Sequence, residues 1–320
     1  VRDTLDEEEV DPADAVRTRR ACAGHKVRLL IIANPIAGKG NSRDIWPTLQ
    51  ERLSFLGADY AVVWTERPGH AVSIAREAAD AGFTRVLSVG GDGTLREVVQ
   101  GALTTGIDVG VVPAGSGNDF SRTMSLPRDP ISALDIALGT HVARVNVGEL
   151  CGSVYINVAG CGFDAEVAAL AAGRLRFLGG RPSYLASVFV ELAAYRPRNF
   201  RICIDGEWVS RRAYLIAVAN GRFYGCGMMI APDADPADGV FDICIVRAMP
   251  RARFVASLPK IYSGSHVKDP YVEMRRGRRV TVETDVPVQC QADGEVVAAN
   301  PIEFRVSEFS IGVACPADRT

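Results

Sequence analysis

Between residues 26 and 143, short apolar runs and helical segments take turns, and the runs end in loops rich in glycine, proline or asparagine. That alternation constrains the fold more than any other feature of the chain. VRLLIIA (27–33) is β-branched and stops at Asn34-Pro35. An apolar run of this kind predicts a parallel strand buried on both faces. A helix is predicted over 42–56, a second strand at ADYAVVWT (58–65), and a helix from His70 to Ala81 ending at Gly82. RVLSVGGDG (85–93) is a third strand running into glycines, a helix follows over 94–103, and VGVVPAGSGND (109–119) repeats the plan. Strands separated by helices of about 10–15 residues call for an α/β domain whose parallel sheet carries helices on both faces.

After about residue 143 the pattern changes. VARVNVGEL, SVYINVAG, NFRICIDGEWV, RRAYLIAVANG, GVFDICIV, RRVTVETDVPVQCQADGE and IEFRVSEFSIGV are strand-like, with turns at Asp205-Gly206, Asp238-Gly239 and Asp293-Gly294. Helices are expected only near 181–195 and 250–262. This is the pattern of a second, mostly antiparallel β domain.

Composition narrows the function classes. At 320 residues with 48% apolar content, the chain has material for two domains. A net charge of −2 gives no general attraction to nucleic acid. Residues 1–24 hold seven acids against four bases and read as a solvated acidic arm (1–25) ahead of the fold. No run approaches the ~18 apolar residues of a membrane span, and the acidic start lacks signal-peptide architecture. The eight cysteines are scattered without C-x-x-C, as buried thiols in a reducing compartment would be. The four histidines form no H-E-x-x-H, which disfavours a zinc enzyme. A cytoplasmic location is the expectation.

In a parallel sheet, ligands bind beyond the carboxyl ends of the strands. Three such ends carry NPIAGKG (34–40), GGDGT (90–94) and PAGSGNDF (113–120). Glycines let backbone N–H groups turn toward an anion, and a following helix adds its positive end. Lys39 supplies a cation, and Asp92 suits a magnesium ion that neutralises phosphates. Singly, each loop also reads as an ordinary turn, and Asp92 as a turn residue. Neither the Walker A pattern nor G-x-G-x-x-G is present. Three loops on one edge point to a phosphate-binding site for a nucleotide or phosphometabolite.

In this order the loops resemble the diacylglycerol kinase catalytic domain, shared by bacterial lipid kinases, sphingosine kinases and ceramide kinases. The resemblance rests on NPIAGKG (34–40), SVGGDGTLREVVQGAL (88–103) and VPAGSGNDFSRTM (112–124). It continues through YINVAGCGFDAEV (155–167), APDADPADGVFDICIV (231–246) and QADGE (291–295), and so covers about 26–315. It implies a nucleotide-binding α/β domain (26–143) like those of NAD kinases and phosphofructokinases. A β-sandwich lipid-substrate domain (144–320) follows, its last strand able to return to the first domain. The implied cofactors are ATP and Mg2+. ATP would lie on Asn34, Pro35, Ile36, Ala37, Gly38, Lys39, Thr65, Gly90, Gly91, Asp92, Gly93, Thr94, Leu95, Arg96, Ser116, Asn118 and Asp119. Asp293 or Glu295 of the late D-G-E would be the general base, with Asp293 favoured and Asp92 beside the phosphates. Without the resemblance, D-G-E reads as a hairpin turn. A second magnesium site is implied at Asp235, Asp238 and the carbonyl of Val240, where the alternative is a solvated acidic loop.

Two residues depart from the family pattern. Asn146 stands where many members have aspartate, and Arg176 where some have lysine. The expected activity is transfer of the γ-phosphoryl group of ATP to diacylglycerol or a related lipid alcohol, giving phosphatidic acid. An NAD kinase-like enzyme is the enzymatic alternative, and a catalytically silent nucleotide-binding module is the non-enzymatic one. The lipid would be met at the inner face of the membrane. Residues 172–189, with Arg174, Arg176, Arg181, Phe177 and Phe189, and RRGRR (275–279) read either as peripheral contacts or as a core helix and a solvated hairpin. Oligomeric state is left open, a homodimer included.

Overall fold

The computed structural model describes residues 27–297 and 301–317. The expected acidic arm, and Cys22 with it, lie outside them. The first half contains β1 (Arg28–Ala33), α1 (Asn41–Phe55), β2 (Asp59–Trp64), α2 (His70–Glu77), β3 (Arg85–Gly90), α3 (Asp92–Ala102) and β4 (Asp108–Pro113). The strands pair in parallel in the order β2-β1-β3-β4. Strand side chains alternate between faces, and β1 shows the result. Leu29, Ile31 and Ala33 join one apolar layer while Leu30 and Ile32 join the other. Both faces are therefore covered, as a parallel sheet requires.

The chain then runs through α4 (Asp119–Thr123), α5 (Pro130–Leu138), β5 (Val142–Leu150), β6 (Ser153–Tyr155), β7 (Val158–Gly162), α6 (Phe163–Ala172) and α7 (Gly180–Ala194). Next come β8 (Arg198–Ile204), β9 (Glu207–Ala219), the short pair β10 (Phe223–Tyr224) and β11 (Met228–Met229), β12 (Phe241–Arg247) and α8 (Arg251–Tyr262). It closes with β13 (Val272–Gly277), β14 (Arg279–Thr284), β15 (Cys290–Ala292), β16 (Glu295–Val297) and β17 (Ile302–Ala314). Apart from one contact of β17, these strands pair antiparallel. Phe241, Ile243 and Ile245 of β12 point into the space the strands enclose, while Cys244 and Val246 meet α6, α7 and α8 on the other face. The turns Asp205-Gly206 and Asp293-Gly294 have positive φ at both residues, the geometry a two-residue hairpin demands.

β17 belongs to both halves. It pairs antiparallel with β5 and β14, and Val313 pairs in parallel with Val109 of β4. The two halves thus share one continuous sheet. Helices α4, α5 and α6 and the strand β13 are additions to the pattern expected from sequence.

Candidate active site

The loops after β1, β3 and β4 lie side by side because their strands are parallel. Glycine lets them touch backbone to backbone. A Cβ at Gly38 (φ +58°) would overlap the carbonyl oxygen of Ala114, and one at Gly115 would overlap Cα of Gly91. Asn34 Nδ2 donates to Thr94 Oγ1 at 3.0 Å, joining the first loop to the second. Asn41 Nδ2 donates to Ala114 O at 3.3 Å, joining the first to the third. Asn34, Pro35, Ile36, Ala37, Gly38, Thr65, Gly91, Gly93, Thr94 and Ser116 line a cavity of about 400 Å³. α3 starts at its edge with no side chain capping its N-terminus, leaving first-turn amides for an anion.

A second cavity of about 490 Å³ lies between the halves. Gly38, Lys39, Asp92, Ser116 and Asp119 line it from the first half, and Asn157, Tyr184, Tyr224, Gln291 and Asp293 from the second. The Asp293-Gly294 turn presents the Asp293 carboxylate to β7 and the residues leading into it. It accepts from Ile156 N at 2.7 Å and from Asn157 N and Val158 N at 3.0 Å each. Burial outweighs these three bonds and, with the nearby Asp92, pushes Asp293 up to about 6. Asp119 is pushed up to about 6 by burial and by Asp92, against its bonds from Cys226 N (2.8 Å) and Arg122. Asp92 accepts from Phe120 N at 3.0 Å.

Asp92, whose charge helps to raise both Asp119 and Asp293, and the buried Asn157 Oδ1, which has no partner, place oxygen donors along this cavity. Such a set fits a hard divalent cation. Among the described residues, no three acidic, histidine or cysteine side chains stand close enough to hold a metal ion by themselves.

Four residues expected at the nucleotide are used otherwise. Leu95 is packed in the apolar core. Gly90 abuts Thr94, where a Cβ would come within 2.7 Å. Asn118 (φ +56°) clasps its own loop, accepting from Gly115 N and donating to Gly115 O at 2.9 Å each. Arg96 is buried and ion-paired with Glu295. That pair also separates the two acids of D-G-E. Glu295 is 60% exposed beside the first cavity, whereas Asp293 faces the second.

The expected second magnesium site does not fit the ion. Asp238 accepts from Val240 N at 3.1 Å and is ion-paired with Arg276. Asp235 accepts from Ala237 N at 3.1 Å. A guanidinium thus already balances the carboxylate that a cation would need. Asn146 contributes its backbone, donating to Pro236 O at 2.6 Å and accepting from Asn220 Nδ2 at 2.9 Å. Three of the four arginines in the basic run 275–279 are ion-paired: Arg275 with Glu273, Arg276 with Asp238, and Arg279 with Glu303.

Sequence reasoning missed a third cavity, of about 70 Å³, whose wall is almost wholly apolar. Phe163, Val167, Val188, Leu215, Met228, Met249 and Phe254 line it, and Tyr184 and Tyr224 belong to both its wall and that of the second cavity. These residues come from elements far apart in sequence, so no local signal announces them. Phe177 (78% exposed), Phe189 and Val190 stand on the surface. The side chains of Arg176 and Arg181 lie outside the described residues. Among the described residues, no helix is long and apolar enough to cross a membrane.

The geometry has counterparts in known proteins. Residues 28–150 match the diacylglycerol kinase catalytic domain, and 157–315 match the YegS C-terminal NAD kinase beta sandwich-like domain. A protein of Mycobacterium tuberculosis named diacylglycerol kinase is 30% identical over 296 residues, covering 90% of this chain and 95% of its own length. One of the same name from Bacillus subtilis is 28% identical over 295 residues, covering 91% and 97%. A solved structure from Bacillus anthracis described as a diacylglycerol kinase superposes with a TM-score of 0.71 at 21% identity. The match covers 93% of this chain and 100% of that one. At that identity the likeness is one of fold.

Proposed function

The chain belongs to the diacylglycerol kinase family, and from that premise we propose that it transfers the γ-phosphoryl group of ATP to the hydroxyl of diacylglycerol, forming phosphatidic acid. One observation carries this reading. Asp293 shares a cavity with the glycine-rich loops, and that cavity adjoins an apolar one at Tyr184 and Tyr224. A polar end for phosphoryl transfer and a greasy end for the acceptor are thereby contiguous.

The nucleotide lies along the first cavity, its phosphates against the amides of the three loops and Lys39. Asp293 takes the proton from the acceptor hydroxyl as the oxygen attacks phosphorus. A pKa near 6 leaves it ionised at pH 7 yet basic enough to assist. The three backbone donors fix where its carboxylate stands, which is the positional part of the catalysis. Magnesium, held by Asp92 and Asp119 directly or through water, would neutralise charge on the phosphates. The exposed Phe177, Phe189 and Val190 belong, in this reading, to the face that meets the membrane, where an amphipathic surface gains apolar burial.

The test is transfer of labelled phosphate from ATP to diacylglycerol in mixed micelles, comparing wild type with Asp293→Asn. The expected loss in kcat is about 10²–10⁴-fold, with the far-UV circular dichroism of the fold retained. A variant that keeps wild-type kcat removes Asp293 as the base. A wild-type chain that ignores diacylglycerol but phosphorylates another alcohol replaces the acceptor.

A further inference from the structure

The chemistry proposed above needs Asp293, which belongs to the second half, to stand at a fixed distance from a nucleotide held by the first. Within its own half the carboxylate is fully placed. Ile156 N, Asn157 N and Val158 N donate to it, and Asp293 N donates to Val158 O at 3.1 Å. Gly294 N donates to Gln291 Oε1 at 2.8 Å, which closes the turn. Toward the first half the hairpin is held less well. β16 pairs with β15 alone, so the strand that leaves the turn is an edge. Across the cleft stands Asp92, whose negative charge reaches Asp293 and repels it.

One attraction opposes that repulsion. Asp92 opens α3 and Arg96 follows four residues later, so both project from the same face of the helix. Arg96 is ion-paired with Glu295, the first residue of β16 and the second after Asp293. Among the described residues, this is the ion pair that joins α3 to the hairpin, and no other carboxylate lies within ion-pair distance of Arg96. Arg96 is buried and its Nε has no partner. A buried guanidinium that loses its counter-ion is strongly destabilised, so α3 has reason to keep hold of Glu295. Its planar fork fixes direction as well as distance. Resting on Asp293 as the base, we propose that Arg96 and Glu295 are positioning residues: their ion pair ties the D-G-E hairpin to α3 and sets the distance from the Asp293 carboxylate to the phosphates at the helix N-terminus. The two acids of the motif then differ in task, Asp293 taking the proton and Glu295 anchoring the hairpin.

The experiment measures phosphoryl transfer from ATP to diacylglycerol by wild type, Arg96→Met, Glu295→Gln, the double variant, and Arg96→Met added to Asp293→Asn. Each single variant should lose about 10–100-fold in kcat, the scale of a misplacement of about 1 Å, while KM for ATP and for lipid stays within about twofold. The double variant should lose no more than the weaker single one, because both changes break one contact. Arg96→Lys restores a cation without the fork and should recover part of the rate. In the Asp293→Asn background, Arg96→Met should cost less than about twofold, since no base remains to be placed. If Arg96→Met does not fold, Glu295→Gln, at an exposed carboxylate, replaces it in each comparison. The assignment is overturned if Glu295→Gln loses activity while Arg96→Met keeps it, which would put Glu295 on the substrate. Losses that multiply in the double variant, or a rise in KM for ATP alone, overturn it too. So does an undiminished loss in the Asp293→Asn background, as a merely structural residue would give. Should Asp293→Asn itself keep wild-type kcat, the base falls and this assignment with it. Loss there with Arg96→Met and Glu295→Gln fully active sinks the assignment alone and leaves Asp293 as the base.

Discussion

Replacing Asp164 with asparagine should stabilise the folded chain, and by an amount that grows with pH. In the unfolded chain this carboxyl has its ordinary value of 3.8, while burial among Phe163, Val167 and the tyrosines raises it to about 6 in the fold. Between those values the unfolded chain releases a proton that the folded chain keeps, so stability falls as pH rises. The full penalty, about 3 kcal/mol, is reached above the folded pKa. It is about 1.6 kcal/mol at pH 5 and nearly absent below 3.8. Asparagine is neutral throughout and can still accept from Gln291. The midpoint difference between variant and wild type in urea, measured at pH 5, 6 and 7, should therefore widen by about 1.3 kcal/mol from pH 5 to pH 7. Taking the difference cancels Asp119 and Asp293, which titrate alike in both chains. A difference that stays constant with pH would refute the reasoning, because it would mean that the residue ionises freely in the fold.

Three other outcomes are expected. Gly115→Ala places a methyl against Cα of Gly91 and pushes the second and third loops apart; the KM for ATP should rise at least about tenfold while the KM for lipid changes little. The rate profile of wild type should show an acid limb near pH 6, because Asp293 must be ionised to act, with activity falling about tenfold per pH unit below it. Phe177→Glu combined with Phe189→Glu should abolish sedimentation with anionic vesicles and leave the melting temperature unchanged, since both rings are already exposed; vesicle binding equal to wild type would move the membrane face elsewhere.

The parallel half was legible because its strands are β-branched runs that stop at glycine or proline. Their ends, and so the glycine-rich loops, followed from local chemistry. α6 was hidden because FDAEVAALAA follows VAGCG with no polar break, so a strand-like run passes into a helix at Gly162 (φ +98°). α5 did carry a signal in Asp129-Pro130: the Asp129 side chain accepts from Ser132 N at 2.8 Å, and Pro130 fills the first turn. The two acids of D-G-E look equivalent in sequence. They diverge in the fold because Asp293 sits in the turn itself (φ +48°) while Glu295 starts β16 beside Arg96. The apolar cavity and the burial of Asp164 depend on contacts between residues 160, 164, 184, 224 and 291, which no window of sequence brings together.

The position of β17 has a consequence for how the molecule is made. The sheet of the first half gains its neighbour beyond β4 only when residues 302–314 arrive, so that half is synthesised nearly 200 residues before its last backbone partner exists. A chain cut short before residue 302 would leave β4 as a bare edge and should aggregate. The same strand joins the halves through the Val313–Val109 pair while it pairs along β5 and β14, so a deletion at the chain's end reaches the nucleotide half as directly as its own. The segment around Gly179 and Gly180, which rests against Lys39 and Ser116, then borders the cleft from the second half.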